Sequence, residues 1–196
     1  MNDSFGLLMV MMQPPATMEE EFNAWYDTEH LPERAVLPGF LSARRFVCVD
    51  GYPRYMALYD LDSEAALSSS AYIAISGERF SPWTRRVTSR MPVYRVAATQ
   101  AYPGNEVSLP TARLVLIKIR RGPDEQALIS SLRAALDGRS DVRQCRLFCS
   151  SEAPGDFFVM LGLSGPWPSL PDFVDKIAAQ AQLAFVNTYA PYDPSK

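Results

Sequence analysis

Apolar runs of strand length alternate with stretches whose apolar residues recur at helical spacing, and the whole pattern occurs twice along the chain. Residues 6–13 are apolar almost without interruption and are stopped by Pro14-Pro15. A strand apolar on both sides needs cover on both faces, so it is expected at the centre of a sheet. Thr17 predicts an N-cap, with Glu20 completing a capping box, for a helix over residues 19–31. Phe22, Trp25 and Tyr26 fall on one side of that helix. Pro32 should end it, because the residue before a proline is pushed out of the helical region. Residues 40–49 and 54–61, separated by Asp50-Gly51-Tyr52-Pro53, predict an antiparallel hairpin. Asp62-Ser63 then predicts the cap of a helix over 64–76 that Gly77 ends. Ser81-Pro82 starts a short helix through Arg90, and 92–101 closes the series as a strand.

The order strand, helix, strand, strand, helix, strand is the split βαβ pattern. Residues 103–110, opening on Pro103-Gly104-Asn105, look like a linker. Beyond it the pattern recurs, with strands over 112–120, 142–149, 157–163 and 183–189 and helices over 123–136 and 171–181. The chain is therefore expected to be α+β: two tandem ferredoxin-like βαββαβ units, residues 1–102 and 111–196. One such unit carries helices on one sheet face and leaves the other face apolar and bare. Two units in one chain can cover each other, so their antiparallel sheets are expected to face each other within the molecule, leaving room for a further homodimer.

Composition narrows the partners. The 196 residues are 47% hydrophobic, with a formal net charge of -3 and a pI near 5.2, which offers no basic footprint for nucleic acid. The longest apolar run, residues 5–12, is too short to span a bilayer and has no basic leader, so no membrane partner and a cytoplasmic location are expected. Cys48, Cys145 and Cys149 lack the paired spacing of a zinc site, and a single histidine cannot make a histidine cluster. Cys145 and Cys149 share one face of a strand and read as buried free thiols. No Gly-rich phosphate loop and no nucleophile elbow occurs, so no cofactor and no metal are expected.

The candidate chemistry lies in the first unit. His30, the sole histidine, falls one turn beyond Tyr26 in the expected last turn of the helix. There the helix C-terminus, Glu29 and Glu33 would all favour its protonated form and suit it to donate or shuttle a proton. The plainer reading has His30 bonding a free carbonyl at the helix end, with Trp25 and Tyr26 as ordinary core. Arg44 and Arg45 point to opposite faces of their strand, while Tyr55, Ala57 and Tyr59 share one.

The residues Trp25-Tyr26, Glu29-His30 and Pro32-Glu33-Arg34, then Pro38-Gly39-Phe40 and Ala43-Arg44-Arg45-Phe46, resemble the dimeric α/β barrel superfamily, particularly its EthD-like proteins. The match covers residues 21–46, with weaker support from 81–86. The resemblance implies a ligand cleft beside the first helix. The matching helix of the second unit has no histidine, tyrosine or tryptophan, which places the site in the first unit. On this basis the expected activity is cofactor-independent proton transfer, of isomerase, cyclase or lyase type, on a small organic molecule such as an aromatic or polyketide-like metabolite. His30 is the expected acid and base and Tyr26 its hydrogen-bond partner, while Trp25, Arg34, Arg44, Tyr55 and Tyr59 bind substrate. The resemblance also implies two alternatives: a monooxygenase, cofactor-free or with His30 as a haem ligand, and a non-catalytic binding or accessory protein.

Overall fold

The computed structural model describes residues 4–121, 124–168, 170–179 and 181–194. Strand β1 (Gly6–Met12) lies antiparallel between β3 (Tyr55–Leu61) and β4 (Val93–Tyr102), and β2 (Phe40–Asp50) pairs with the other edge of β3. Both faces of β1 are used, as its unbroken apolar run requires. Leu7, Met9 and Met11 enter one core and Leu8 and Met12 another, each buried side chain contributing about 1.5–3 kcal/mol. Strands β5 (Arg113–Arg120), β6 (Val142–Ser150), β7 (Phe157–Leu163) and β8 (Gln182–Pro191) repeat the arrangement.

The two sheets meet along both edges, β2 against β8 and β4 against β6, and the eight strands close into one antiparallel barrel. Closure leaves no sheet edge to template aggregation. The apolar faces that each unit would leave bare now wrap one interior, filled by Leu58, Leu116, Phe148, Phe158, Met160 and Tyr189 among others. The fold is the expected pair of ferredoxin-like halves forming an α/β barrel within one chain.

Helices lie outside the barrel. On the first half these are α1 (Glu19–Trp25), α2 (Leu31–Ala35), α3 (Ser70–Ile73) and α4 (Pro82–Thr88), and on the second α5 (Glu125–Leu136) and α6 (Leu170–Ala178). Pro123 and Gln180, within the expected span of the last two, fall outside the described residues. The capping box does not form: Ala16–Met18 make a 3-10 turn, and α1 begins after Met18 without a side-chain cap. Its carboxylates reach across instead, Glu19 to the Tyr55 hydroxyl at 2.7 Å and Glu21 to the Trp83 indole at 3.2 Å. The helix expected over 64–76 is also broken. Ser69 is extended, and its hydroxyl accepts from the Tyr72 amide at 3.2 Å to start α3 afresh, the local competition for backbone that serines in a row invite.

The expected linker is held firmly. Asp60 and Arg146, which are 86 residues apart, pair at 2.6 Å inside the barrel wall with side chains 1% and 2% exposed. The Ser108 amide donates to Asp60 at 2.8 Å, the Ser42 hydroxyl donates to the same carboxylate, and Arg146 donates to the Ser108 hydroxyl at 2.6 Å. Burial pushes the Asp60 carboxyl up, but Arg146, Ser42 and the Ser108 amide outweigh it and hold it below the usual range. Among the described residues no helix is long and apolar enough to cross a membrane.

Candidate functional site

Pro32 does not end the first helix. Residues Tyr26–His30 form a π-turn, in which the Leu31 amide donates to the Tyr26 carbonyl five residues back, and α2 then continues with Pro32 in its first turn. A proline has no amide to give to the carbonyl four residues back and its ring crowds that carbonyl, so one extra residue in the preceding turn absorbs the conflict. The Thr28 hydroxyl, donating to the Ala24 carbonyl at 2.7 Å, bends the same turn. His30 is therefore a mid-helix residue, buried, rather than one at a helix C-terminus.

This overturns its expected protonation. Burial, with the positive charge of Arg34 adding to it, lowers the His30 pKa from 6.5 to about 2. The acidic neighbours are engaged elsewhere. Glu29 accepts from the Ser81 and Thr84 hydroxyls at the start of α4, and Glu33 pairs with Arg34 at 3.1 Å. The imidazole is neutral at physiological pH. Its ring centre is 4.2 Å from that of Trp25 and 5.2 Å, edge-on, from that of Tyr26, and Trp25 is fixed by its indole N–H to Thr84 at 3.0 Å.

Beside this ring lies a cavity of about 450 Å³, between the first helix and the outer face of β1, β3 and β4. Five of the seven sequence-derived site residues line it: Trp25, Tyr26, His30, Arg34 and Tyr59. Three of the four buried side-chain polar atoms that lack a hydrogen-bond partner among the described residues belong to its lining: His30 Nδ1, Tyr59 Oη and Ser76 Oγ. An unpaired buried polar atom costs about 1–3 kcal/mol, and three around one hollow are what a polar ligand would satisfy. Burial holds Tyr26 up at about 12, against the pull of Arg45 and Arg34, and drives Tyr59 well above its ordinary range, so both are phenols.

Two residues expected at the site are not there. Tyr55 donates to Glu19 and accepts from Asn23 at 3.1 Å, below the helix. Arg44 lines a separate hollow, to which Asp27, Arg45, Phe46, Thr111 and Tyr192 also contribute. The arginine on the helix side is Arg45, whose guanidinium lies 4.5 Å from the Tyr26 ring and 3.9 Å from that of Tyr192, donating to Asp27 and Asn23 at 2.6 Å each. Arg45 thus braces the back of Tyr26. Ser76, Phe80 and Arg95, which also line the cavity, carry no sequence signal; they arrive on the broken 64–80 segment and on β4. A further hollow of about 310 Å³ at a barrel mouth contains Lys118, but that ammonium is already matched by Asp156 at 3.3 Å and Tyr94 at 2.8 Å.

Neutral burial of His30 makes the fold acid-sensitive. Above pH 6.5 neither state binds the proton. As pH falls below 6.5 the unfolded chain takes it up while the folded chain does not until about pH 2, costing about 1.4 kcal/mol per pH unit. Between pH 7.5 and 4.5 urea denaturation should show the native protein losing roughly 2–3 kcal/mol more than His30→Gln. Equal losses would mean that the imidazole protonates freely in the folded state.

No protein-family model matches the chain, and no curated protein sequence matches it. Solved structures do. An anthrone oxidase-like protein superposes with a TM-score of 0.62 at 13% identity, over 97% of this chain and 92% of its own. Chlorite dismutase from Candidatus Nitrospira defluvii, in complex with imidazole, gives 0.64 at 10%, over 97% and 93%. A Lactobacillus acidophilus protein provisionally assigned as a monooxygenase gives 0.58 at 8%, over 96% and 94%. These likenesses establish the dimeric α/β barrel fold over nearly the whole chain.

Proposed function

We propose that the chain is an enzyme that removes a proton from a small aromatic molecule, with His30 as the base. The observation that carries this reading is the neutral imidazole with an unpartnered nitrogen, set in an aromatic cavity beside two unpartnered hydroxyls. A neutral imidazole can accept a proton from a carbon made acidic by an adjacent carbonyl, whose oxygen takes up the electron pair as an enolate. The Tyr59 and Ser76 hydroxyls would donate to the oxygen on which charge then develops, and the buried Arg34 would add positive potential beside it. The same Arg34 disfavours a cationic His30 on its own, so proton transfer is favourable only while the enolate charge is present. Tyr26 would hold the imidazole edge and Trp25 its face.

Two fates of the carbanion are open to this geometry: reprotonation elsewhere, which is isomerase, cyclase or lyase chemistry, and reaction with dioxygen. The likeness to anthrone oxidase-like and monooxygenase-assigned proteins supports an enzyme and favours the second fate; the EthD-like motif belongs to the same reading. Incubation with hydroxylated aromatic ketones in heavy water should give deuterium uptake at the acidic carbon, lost in His30→Gln, and an oxygen electrode separates the fates. No uptake and no oxygen consumption across such a panel would leave a binding or accessory protein. Tyr26→Phe, which removes a hydroxyl that reaches Met12 Sδ at 3.8 Å and interacts with the Tyr59 hydroxyl, should cost about tenfold or less in turnover.

A neutral, unpaired imidazole is also what an iron ligand requires, with His30 holding the metal and Arg34 and Arg95 available to its acid groups; haem would bring redox chemistry at iron. The cofactor-free reading expects no Soret band in the purified protein. A band lost in His30→Ala would replace the acid–base assignment.

A further inference from the structure

The charge of the cavity specifies its ligand further than the proton-transfer reading does. Among the described residues no aspartate or glutamate lines it, yet two arginines do: Arg34 from the helix wall and Arg95 from the sheet wall. In a protein of net charge -3 this hollow is locally cationic. Neither arginine is fully spent. The buried Arg34 donates to Glu33 at 3.1 Å and, at the outer limit of a hydrogen bond, to the Ile75 carbonyl at 3.5 Å, leaving donors of its five-pronged guanidinium for a ligand. Arg95 reaches Glu152 only at 3.5 Å, and its side chain is 40% exposed at the rim. The rest of the lining is aromatic and aliphatic, including Trp25, Tyr72, Phe80, Val10 and Val93, which suits a flat ring system.

From this arrangement we infer that the substrate is an aromatic carboxylic acid, its rings on the apolar wall and its carboxylate between Arg34 and Arg95. The inference rests on reading the cavity as the substrate site. A planar guanidinium binds a carboxylate by two parallel hydrogen bonds, and anchoring the acid end fixes which ring carbon is turned to His30. The Ser76 and Tyr59 hydroxyls are left for a ring oxygen.

Calorimetry on the full chain at neutral pH tests this with three probes that share one ring system: 2-naphthoic acid, 2-naphthol and 2-naphthylmethylamine. The acid is expected to bind at least about tenfold more tightly than the naphthol, and the amine not detectably. Arg95→Gln should weaken the acid about five- to tenfold and leave the naphthol within about twofold, with Arg95→Glu abolishing the preference. Added salt should weaken the acid alone. His30→Gln should keep the acid preference, so loss of turnover with the preference intact bears on the base and not on the ligand class. If the naphthol binds as well as the acid, if Arg95→Gln moves both probes equally, or if no probe binds up to millimolar concentration, the inference fails.

Discussion

Replacing His30 by glutamine is expected to reduce turnover by about 10²–10⁴-fold while leaving the protein folded at neutral pH. Glutamine nearly fills the imidazole's volume and can hydrogen bond in the cavity, but it cannot take a proton. Because His30 Nδ1 has no partner among the described residues, no hydrogen bond seen at that atom is lost with it, and the melting temperature should move little. The competing account, in which the imidazole only packs against Trp25 and Tyr26, makes the opposite forecast: a lowered melting temperature with deuterium uptake and ligand binding intact. Urea denaturation and substrate deuteration on the same two samples separate the accounts, since only a base moves the second without the first.

The largest stability effect should come from the far side of the sheet. Asp60→Ala is expected to cost about 3–5 kcal/mol, because it leaves the Arg146 guanidinium buried with only neutral partners. The Ser108 hydroxyl, at 2.6 Å, and the Glu106 carbonyl, at 3.2 Å, would remain, and neither compensates a charge removed from water. The double replacement Asp60→Leu with Arg146→Met should recover most of the loss, since it strands no ion. A single-mutant cost below about 1 kcal/mol by urea denaturation would show that the pair is hydrated rather than sealed in the barrel wall. Asp60 also adds an acid limit of its own. Its folded pKa is depressed, so its contribution is present above the ordinary carboxylate range and is lost as pH falls through the folded value.

The fold was largely legible because each strand and helix states its own period. The unbroken apolar run of β1 announced cover on two sides, and both sides are covered. What closes the barrel was not legible: the β2–β8 and β4–β6 pairings join strands far apart in sequence, and edge pairing leaves no local pattern. The reading of Pro32 erred because a π-turn depends on competition for particular carbonyls, and that competition appears only when the helix is built. His30 was identified as the chemically interesting residue from its type and neighbours, but its charge was inverted. Glu29 and Glu33 are adjacent in sequence, yet both are spent on other partners, and burial dominates what remains. Ser76 and Arg95 had no signal at all, being an ordinary serine before a glycine and an arginine within an ordinary strand. Choosing between Arg44 and Arg45 needed the sheet's sidedness, which alternation gives only in relative terms.

The central claim, that His30 is held neutral inside the cavity and free to accept, can be read on the one residue itself. The chain contains a single histidine, so selective isotope labelling of histidine gives one unambiguous imidazole signal in an NMR titration from pH 8 to 4.5. The account predicts ring nitrogen and carbon shifts that stay at their neutral values throughout that range and move when an aromatic acid is added at constant pH. A titration midpoint near 6.5, with no response to the added acid, would contradict it.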